Sequence, residues 1–262
     1  MGESKMDLEI AKKEFLNYVS NFDTSNFHIK RKIDHSLRVM QISKQIAESL
    51  NLSQEEINIS TLIGLLHDIG RFEQMRIYNT FNDRKSIDHG NLGAEILEKN
   101  NYIRKYIEEN KYDEIIFIAI RNHNKFQIED GLSEKEILFS KIIRDADKLD
   151  ILYQGTCISW ANSIEEVEKE KIIKENIRPF EEKRLVNRDK DLLQTTNQIN
   201  HLLTILGFTF DINFDISYKI LKEKDYMNII INRFHFKDEE TNILIEEVRN
   251  IVNTYIDSKQ KG

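Results

Sequence analysis

The chain is predicted to be all-α, and three observations carry that prediction. Across 262 residues proline occurs once, at Pro179, and glycine nine times, so little interrupts helices anywhere. Apolar residues recur at helical spacing: Leu8, Ala11, Phe15, Val19 and Phe22 form one face, and His35, Val39, Ile42 and Ile46 form another. That second stripe places His35 on the buried side of its helix. Two capping boxes mark helix starts, Ser53 with Glu56 and Ser133 with Glu136, where hydroxyl and carboxylate satisfy free backbone N–H groups.

The helix after Ser53 carries the apolar run Thr61 to Leu66 and ends at His67-Asp68. Ile69-Gly70 is read as the turn that follows, because glycine tolerates the left-handed conformation that closes helices. Residues near 87–99 form a helix in which His89, Gly93 and Ile96 share a face, and residues near 113–123 form another with Ile116, Ile120 and His123 aligned. Helices are expected near 163–177, 188–206, 216–235 and 238–256, with no Gly/Ser or Pro linker before them. The chain therefore divides into a helical core with an N-terminal helix, 1–160, and a helical extension packed on the same domain, 161–262. One segment resists the helical reading: Phe208, Phe210, Ile212, Phe214 and Ile216 alternate at the period of a half-buried strand. With no partner strand in view, it is read as an extended connection whose aromatic residues anchor in the core. The acidic stretch Glu165 to Glu170 is read as a solvated helix face.

A chain of this length buries a sizeable core without disulfide staples. The single Cys157 has no internal partner, and no N-terminal apolar stretch with a cleavage site is evident, so a cytoplasmic location is expected. No run approaches the ~18 apolar residues of a membrane span. The net charge of −7 disfavours a nucleic-acid polymer as partner, since phosphate-backbone affinity rests on clustered positive charge. A small phosphorylated substrate needs only a local basic pocket.

His67-Asp68 sets an imidazole and a carboxylate side by side where a helix stops. His35 upstream, His89 and His123 downstream, and the run Arg144-Asp145-Ala146-Asp147-Lys148-Leu149-Asp150 offer further ligands. Any one inward-facing histidine is explained as a hydrogen-bonded core residue. Four of them with nearby carboxylates are not, because burying so many ionisable groups without compensation costs several kcal/mol each, and a cation supplies that compensation. Imidazole and carboxylate without thiolate suit Fe, Mn, Zn or Mg. On a helical wheel Asp145 and Asp147 flank the Ile142, Ile143, Ala146, Leu149 stripe about equally, so periodicity leaves the choice between them open. Asp88 is expected to cap its helix, and His28, His201 and His235 lie outside the pattern.

Through Asp34-His35-Ser36, His67-Asp68-Ile69-Gly70-Arg71 and Ala146-Asp147-Lys148-Leu149-Asp150, the chain resembles the HD-domain metal-dependent phosphohydrolase superfamily over about residues 25 to 155. The resemblance implies an HD-domain helical bundle, here with a C-terminal helical extension. It implies that His35, His67, Asp68 and Asp147 hold one metal ion, the family's Asp-Lys/Arg-Leu pattern selecting Asp147 over Asp145. His89 and His123 look like the extra ligands of the six-ligand, binuclear subgroup, in which Asp68 bridges. Two divalent transition-metal ions are expected, Fe or Mn first, with Zn, Ni, Co or Mg as further options. Such a centre lowers the pKa of a bridging water and presents hydroxide to phosphorus, while Arg71 and Lys148 are the best-placed cations for the remaining phosphate oxygens. Arg38, Arg84, Lys85, Arg121 and Lys125 are weaker candidates.

The resemblance thus implies a phosphohydrolase acting on a nucleotide or other small phosphorylated metabolite. The cyclic-di-GMP-cleaving subgroup is disfavoured, because its Gly-Tyr-Pro element is missing and Asn124 follows His123. The guanosine-tetraphosphate hydrolases carry other extended motifs. Two alternatives stand beside the hydrolase: a diiron oxygenase of the same superfamily, and a metal-containing nucleotide-binding sensor with little turnover. The oligomeric state is left open.

Overall fold

The computed structural model describes residues 6–157, 164–193 and 195–260. Among them every regular element is helical and none is a strand, as expected for an HD-type helical bundle. The chain divides into two compact units, Met1–Asp147 and Lys148–Gly262.

In the first unit, α1 (Leu8–Val19) starts at Asp7, whose carboxylate accepts from the N–H groups of Glu9 and Ile10, and buries Ala11, Phe15 and Val19. α2 (Phe27–Ser49) packs along α3 (Gln54–Leu66). The Ser53–Glu56 capping box forms as expected, and every α3 residue from Ile59 to Leu66 is buried, which marks a central helix. α4 (Ile69–Tyr78) packs on α5 (His89–Glu98), and α5 on α6 (Asp113–Asn122). Phe72 of α4 receives Phe15, Tyr18 and Phe22 edge-on or tilted, with ring centroids 5.6–6.2 Å apart, within the range of favourable aromatic pairs. α7 (Glu134–Cys157) follows the second capping pair, in which the Ser133 N–H donates to Glu136 at 2.7 Å. From α7 the buried Arg144 donates to the carbonyls of Asn122, Lys125 and Phe126 at 3.0, 2.5 and 3.3 Å. It thereby satisfies acceptors that the end of α6 leaves open.

Gly70 is where the structure departs from expectation in this unit. It does not close a helix; it lies inside α4, in ordinary helical conformation, and the chain breaks instead at Asp68 (φ −102°, ψ 15°). A Cβ on Gly70 would lie 2.3 Å from the His89 carbonyl oxygen and 2.7 Å from the Gly93 nitrogen. The glycine is needed for the close approach of α4 to α5, not for a turn.

The second unit begins within α7 and continues through α8 (Ile164–Val167), α9 (Lys174–Glu181), α10 (Arg188–Asp191), α11 (Asn197–Gly207), α12 (Asp215–Glu223), α13 (Tyr226–Ile231) and α14 (Glu239–Ser258). Three of the helices expected here are broken. Residues 168–173 leave the helix because their polar groups pair elsewhere: the Lys237 N–H donates to the Glu168 carbonyl at 2.7 Å, and the Ile172 N–H to Thr241 Oγ1 at 3.1 Å. The 188–206 helix stops at Asp191, and α11 restarts on the Thr196 cap. The 216–235 helix is interrupted at Asp225, which takes a left-handed φ of 52°. The solvated acidic helix face shrinks accordingly to the single turn of α8.

The Phe208-to-Ile216 segment is an extended connection only around Ile212 and Phe214, whose backbones are extended. Phe208–Asp211 wind into a 3-10 turn and Asp215 opens α12, so local turns satisfy the backbone that a lone strand would leave unpaired. The Tyr218 hydroxyl, shared between the carbonyls of Thr209 and Ile212 at 3.3 and 3.0 Å, ties the segment down. Phe210 meets Phe180 and Tyr255 at centroid separations of 5.9 and 5.0 Å, while Ile212 is the buried residue of the alternating set.

Candidate metal centre

Two close helix contacts build the site. Gly64 lets α3 approach α2, since a Cβ there would lie 2.6 Å from Ser43 Oγ and 2.9 Å from the Val39 carbonyl oxygen. That approach brings His35 of α2 to His67, with their Nε2 atoms 3.2 Å apart. Gly70 does the same for α4 and α5 and carries His89 to the loop between α3 and α4. His123 closes α6, its Nε2 lying 2.9 Å from that of His89. All four imidazoles and Asp68 are at most 4% exposed.

The tautomers follow from the partners, because a carbonyl or an ionised carboxylate only accepts. His67 Nδ1 donates to the Gly64 carbonyl at 2.8 Å, His123 Nδ1 to the Ile120 carbonyl at 2.6 Å, and His89 Nδ1 to Asp83 Oδ2 at 2.6 Å. Each of these rings therefore turns an Nε2 lone pair toward the centre. Burial pushes the His89 imidazole down to about 3, with the Arg71 charge adding to it, and burial likewise lowers His67. Neutral rings whose lone pairs converge at 2.9 Å in a buried site repel one another unless a cation lies among them.

The carboxylates complete the donor set. Asp147 Oδ1 lies 3.1 Å from His35 Nε2 and 3.7 Å from His67 Nε2. Asp68 divides its two oxygens: Oδ2 faces His35 and His67 at 3.4 and 3.6 Å, and Oδ1 faces His89 and His123 at 3.3 and 3.8 Å. Burial alone would raise the Asp68 carboxyl, yet the Lys32 ammonium beside it holds it well below the usual carboxylate range. Asp147 is held well below the usual carboxylate range against its burial, with the His35 imidazole its nearest partner. Ligand atoms of His35, His67 and Asp147 lie within 4.8 Å of one another, as do those of His67, Asp68 and His123. Nitrogen and oxygen donors with no thiolate fit a divalent metal of intermediate hardness.

Arg71 Nε lies 3.5 Å from Asp68 Oδ1, while its Nη1 donates to Asp83 Oδ1, Gln74 Oε1 and the Phe81 carbonyl at 2.8, 2.8 and 2.6 Å. Lys148 is buried, pairs with Asp211 Oδ2 at 2.8 Å and sits over the Phe208 ring. Asp145 is fully buried, and Asp150 is buried too, accepting from Gln154 at 2.8 Å. Asp88 caps α5 by accepting from the Asn91 N–H. Lys125 pairs with Asp88 and Arg121 with Glu98, each at 2.5 Å.

Three residues at the site escaped the sequence reading. Lys32 holds Asp68 Oδ2 at 2.6 Å; one turn before His35 on the same face of α2, it was within reach of helical spacing. Asp83 and Gln74 sit behind His89. Asp83 lies in a short loop turn with no periodicity, so only the fold reveals it.

The helices therefore define an α-helical protein that gathers groups able to hold a divalent metal. Residues 33–152 match the family model of the HD domain, and over that span the chain is similar to HD-domain proteins. HD domains bind divalent metals, and most members of the superfamily are metal-dependent hydrolases. Comparison with curated proteins and with solved structures finds no match.

Proposed function

We propose that the protein is a metal-dependent phosphohydrolase that cleaves a phosphate ester or anhydride of a nucleotide or other small phosphorylated metabolite, with two divalent ions at this site. The observation that carries the reading is the division of the Asp68 oxygens between two pairs of imidazoles. His35, His67, Asp147 and Asp68 Oδ2 would hold one ion, and His89, His123 and Asp68 Oδ1 the other. When bound, such ions supply Lewis acidity and a water acidified toward neutrality. The chain's own residues bind and orient. Lys32 sets a compact positive charge beside Asp68, and Arg71 sets a guanidinium on its other oxygen, so both can attract phosphoryl oxygens and stabilise charge that develops there.

The test is metal analysis of anaerobically purified protein, followed by a screen of phosphorylated metabolites with Mn or Fe restored. About two ions per chain and release of phosphate or a phosphomonoester are expected. Oxygen uptake without phosphate release, or binding of nucleotides without turnover, would overturn the hydrolase. Lys32→Ala and Arg71→Ala should each lower kcat/KM by roughly ten- to a thousandfold, the effect of losing ~1.4 to 4 kcal/mol of transition-state stabilisation. Arg71→Lys should recover only part of that loss, because an ammonium cannot grip two oxygens as a guanidinium does. The same assay on Lys148→Ala tests the other cation named from the sequence, whose ammonium is paired with Asp211.

A further inference from the structure

We propose that Asp83 is the positioning residue for His89, fixing its tautomer and the direction of its Nε2 lone pair, and that the second metal position depends on it. The inference rests on the binuclear reading for its metal consequence but not for its tautomer consequence.

The reason lies in where each imidazole sits on its helix. His67 and His123 both close helices, so each finds the carbonyl three residues back, Gly64 or Ile120, as an acceptor for Nδ1–H. His89 is the first residue of α5. No helical carbonyl precedes it, so its Nδ1–H must be received by a group from elsewhere in the fold. Asp83, six residues upstream in the 3-10 turn Asp83–Lys85, supplies Oδ2 at 2.6 Å. Its other oxygen is fixed by two donors from α4, Arg71 Nη1 and Gln74 Nε2, each at 2.8 Å. Gln74 is fully buried, and the same amide nitrogen also donates to Ser86 Oγ and the Ile87 carbonyl, both at 2.9 Å. The loop from Phe81 to Ile87 is thus anchored so that one carboxylate oxygen meets His89. A carboxylate behind a ligating imidazole orients the ring and raises its basicity, and loss of such a partner typically lowers metal affinity 10–100-fold. Arg71 joins the two halves, with Nη1 on Asp83 and Nε facing Asp68.

The experiment is long-range 15N–1H NMR of the histidine rings in chelator-treated protein, paired with metal titration, for wild type, Asp83→Ala and Asp83→Asn. In wild type His89 should be the Nδ1–H tautomer. In Asp83→Ala it should shift to Nε2–H or a mixture while His67 and His123, held by backbone carbonyls, keep theirs, and the second ion should bind about 10–100-fold more weakly with the first unchanged. Asp83→Asn keeps an acceptor oxygen without the charge, so it should preserve the tautomer and recover part of the affinity. An unchanged His89 tautomer in Asp83→Ala overturns the proposal, as does second-ion affinity within twofold of wild type. If wild type takes up one ion only, the binuclear reading fails and the tautomer result alone decides Asp83. If all three rings lose their tautomers, the Ala variant has unfolded and Asp83→Asn decides: it must retain Nδ1–H on His89, and loss of that tautomer alone overturns the inference.

Discussion

Asp68→Ala is expected to take metal occupancy from about two ions per chain to near zero and to abolish turnover. Each oxygen of Asp68 faces a different pair of imidazoles, so its removal would strip a ligand from both proposed positions at once. Asp147→Ala should be narrower, weakening the ion at His35 and His67 and sparing the one at His89 and His123. Asp145→Ala separates metal binding from stability: its carboxylate is fully buried but stands outside the grouped ligands, so this variant should keep its metal while losing Tm. Metal content by mass spectrometry and thermal melting of the three variants check these outcomes together. An Asp145 variant that lost metal while the Asp147 variant kept it would reverse the assignment.

Gly70→Ala is expected to be among the most destabilising single substitutions in the chain, well beyond the loss of a surface contact. Both atoms that the new Cβ would strike are backbone, the His89 oxygen at 2.3 Å and the Gly93 nitrogen at 2.7 Å, so no rotamer change relieves the clash and α4 must move off α5. Overpacking of this kind costs ~1–3 kcal/mol and sometimes more, and here the displaced residue is His89 itself. Gly64→Ala should be milder, because its shortest contact, 2.6 Å, is to the rotatable Ser43 side chain and its nearest backbone atom, the Val39 oxygen, lies at 2.9 Å rather than 2.3 Å. Gly131→Ala meets only open space and strains only its own φ of 83°, a cost of ~1–2 kcal/mol. Denaturant melts of the three should fall in that order, and Gly70→Ala should weaken the second ion as well; equal stability of the Gly70 and Gly131 variants would contradict the packing argument.

What was legible in the sequence followed periodicity and local chemistry. The early helices, both capping boxes and the inward placement of His35 and His123 come from spacing that each segment carries by itself. Asp68 and its companions could be named because their residue types are expensive to bury without a cation; that they converge is a property of the fold. What escaped depends on contacts between segments distant in sequence. The helix breaks at 168–173 and Asp225 have no proline to announce them, and Phe208 to Ile216 alternates like a strand while its backbone is satisfied by a 3-10 turn. Gly70 looked like a helix stop because the sequence shows a glycine after His-Asp but not the α5 backbone it makes room for. Asp83 was hidden for the same reason, since its importance arises from the position of His89 at a helix start.

The junction between α3 and α4 is only two residues long, and both face the centre. Leu66 ends one helix, Ile69 begins the next, and His67-Asp68 between them belong to the candidate metal centre. This stretch therefore has a fixed length in a way that an ordinary interhelical loop does not. A residue inserted or deleted there would reset the direction in which α4 leaves α3, moving Gly70 off α5 and Arg71 off Asp83 in one step. Length variation in this part of the molecule should be tolerated between α6 and α7, and selected against at the two residues that join α3 to α4.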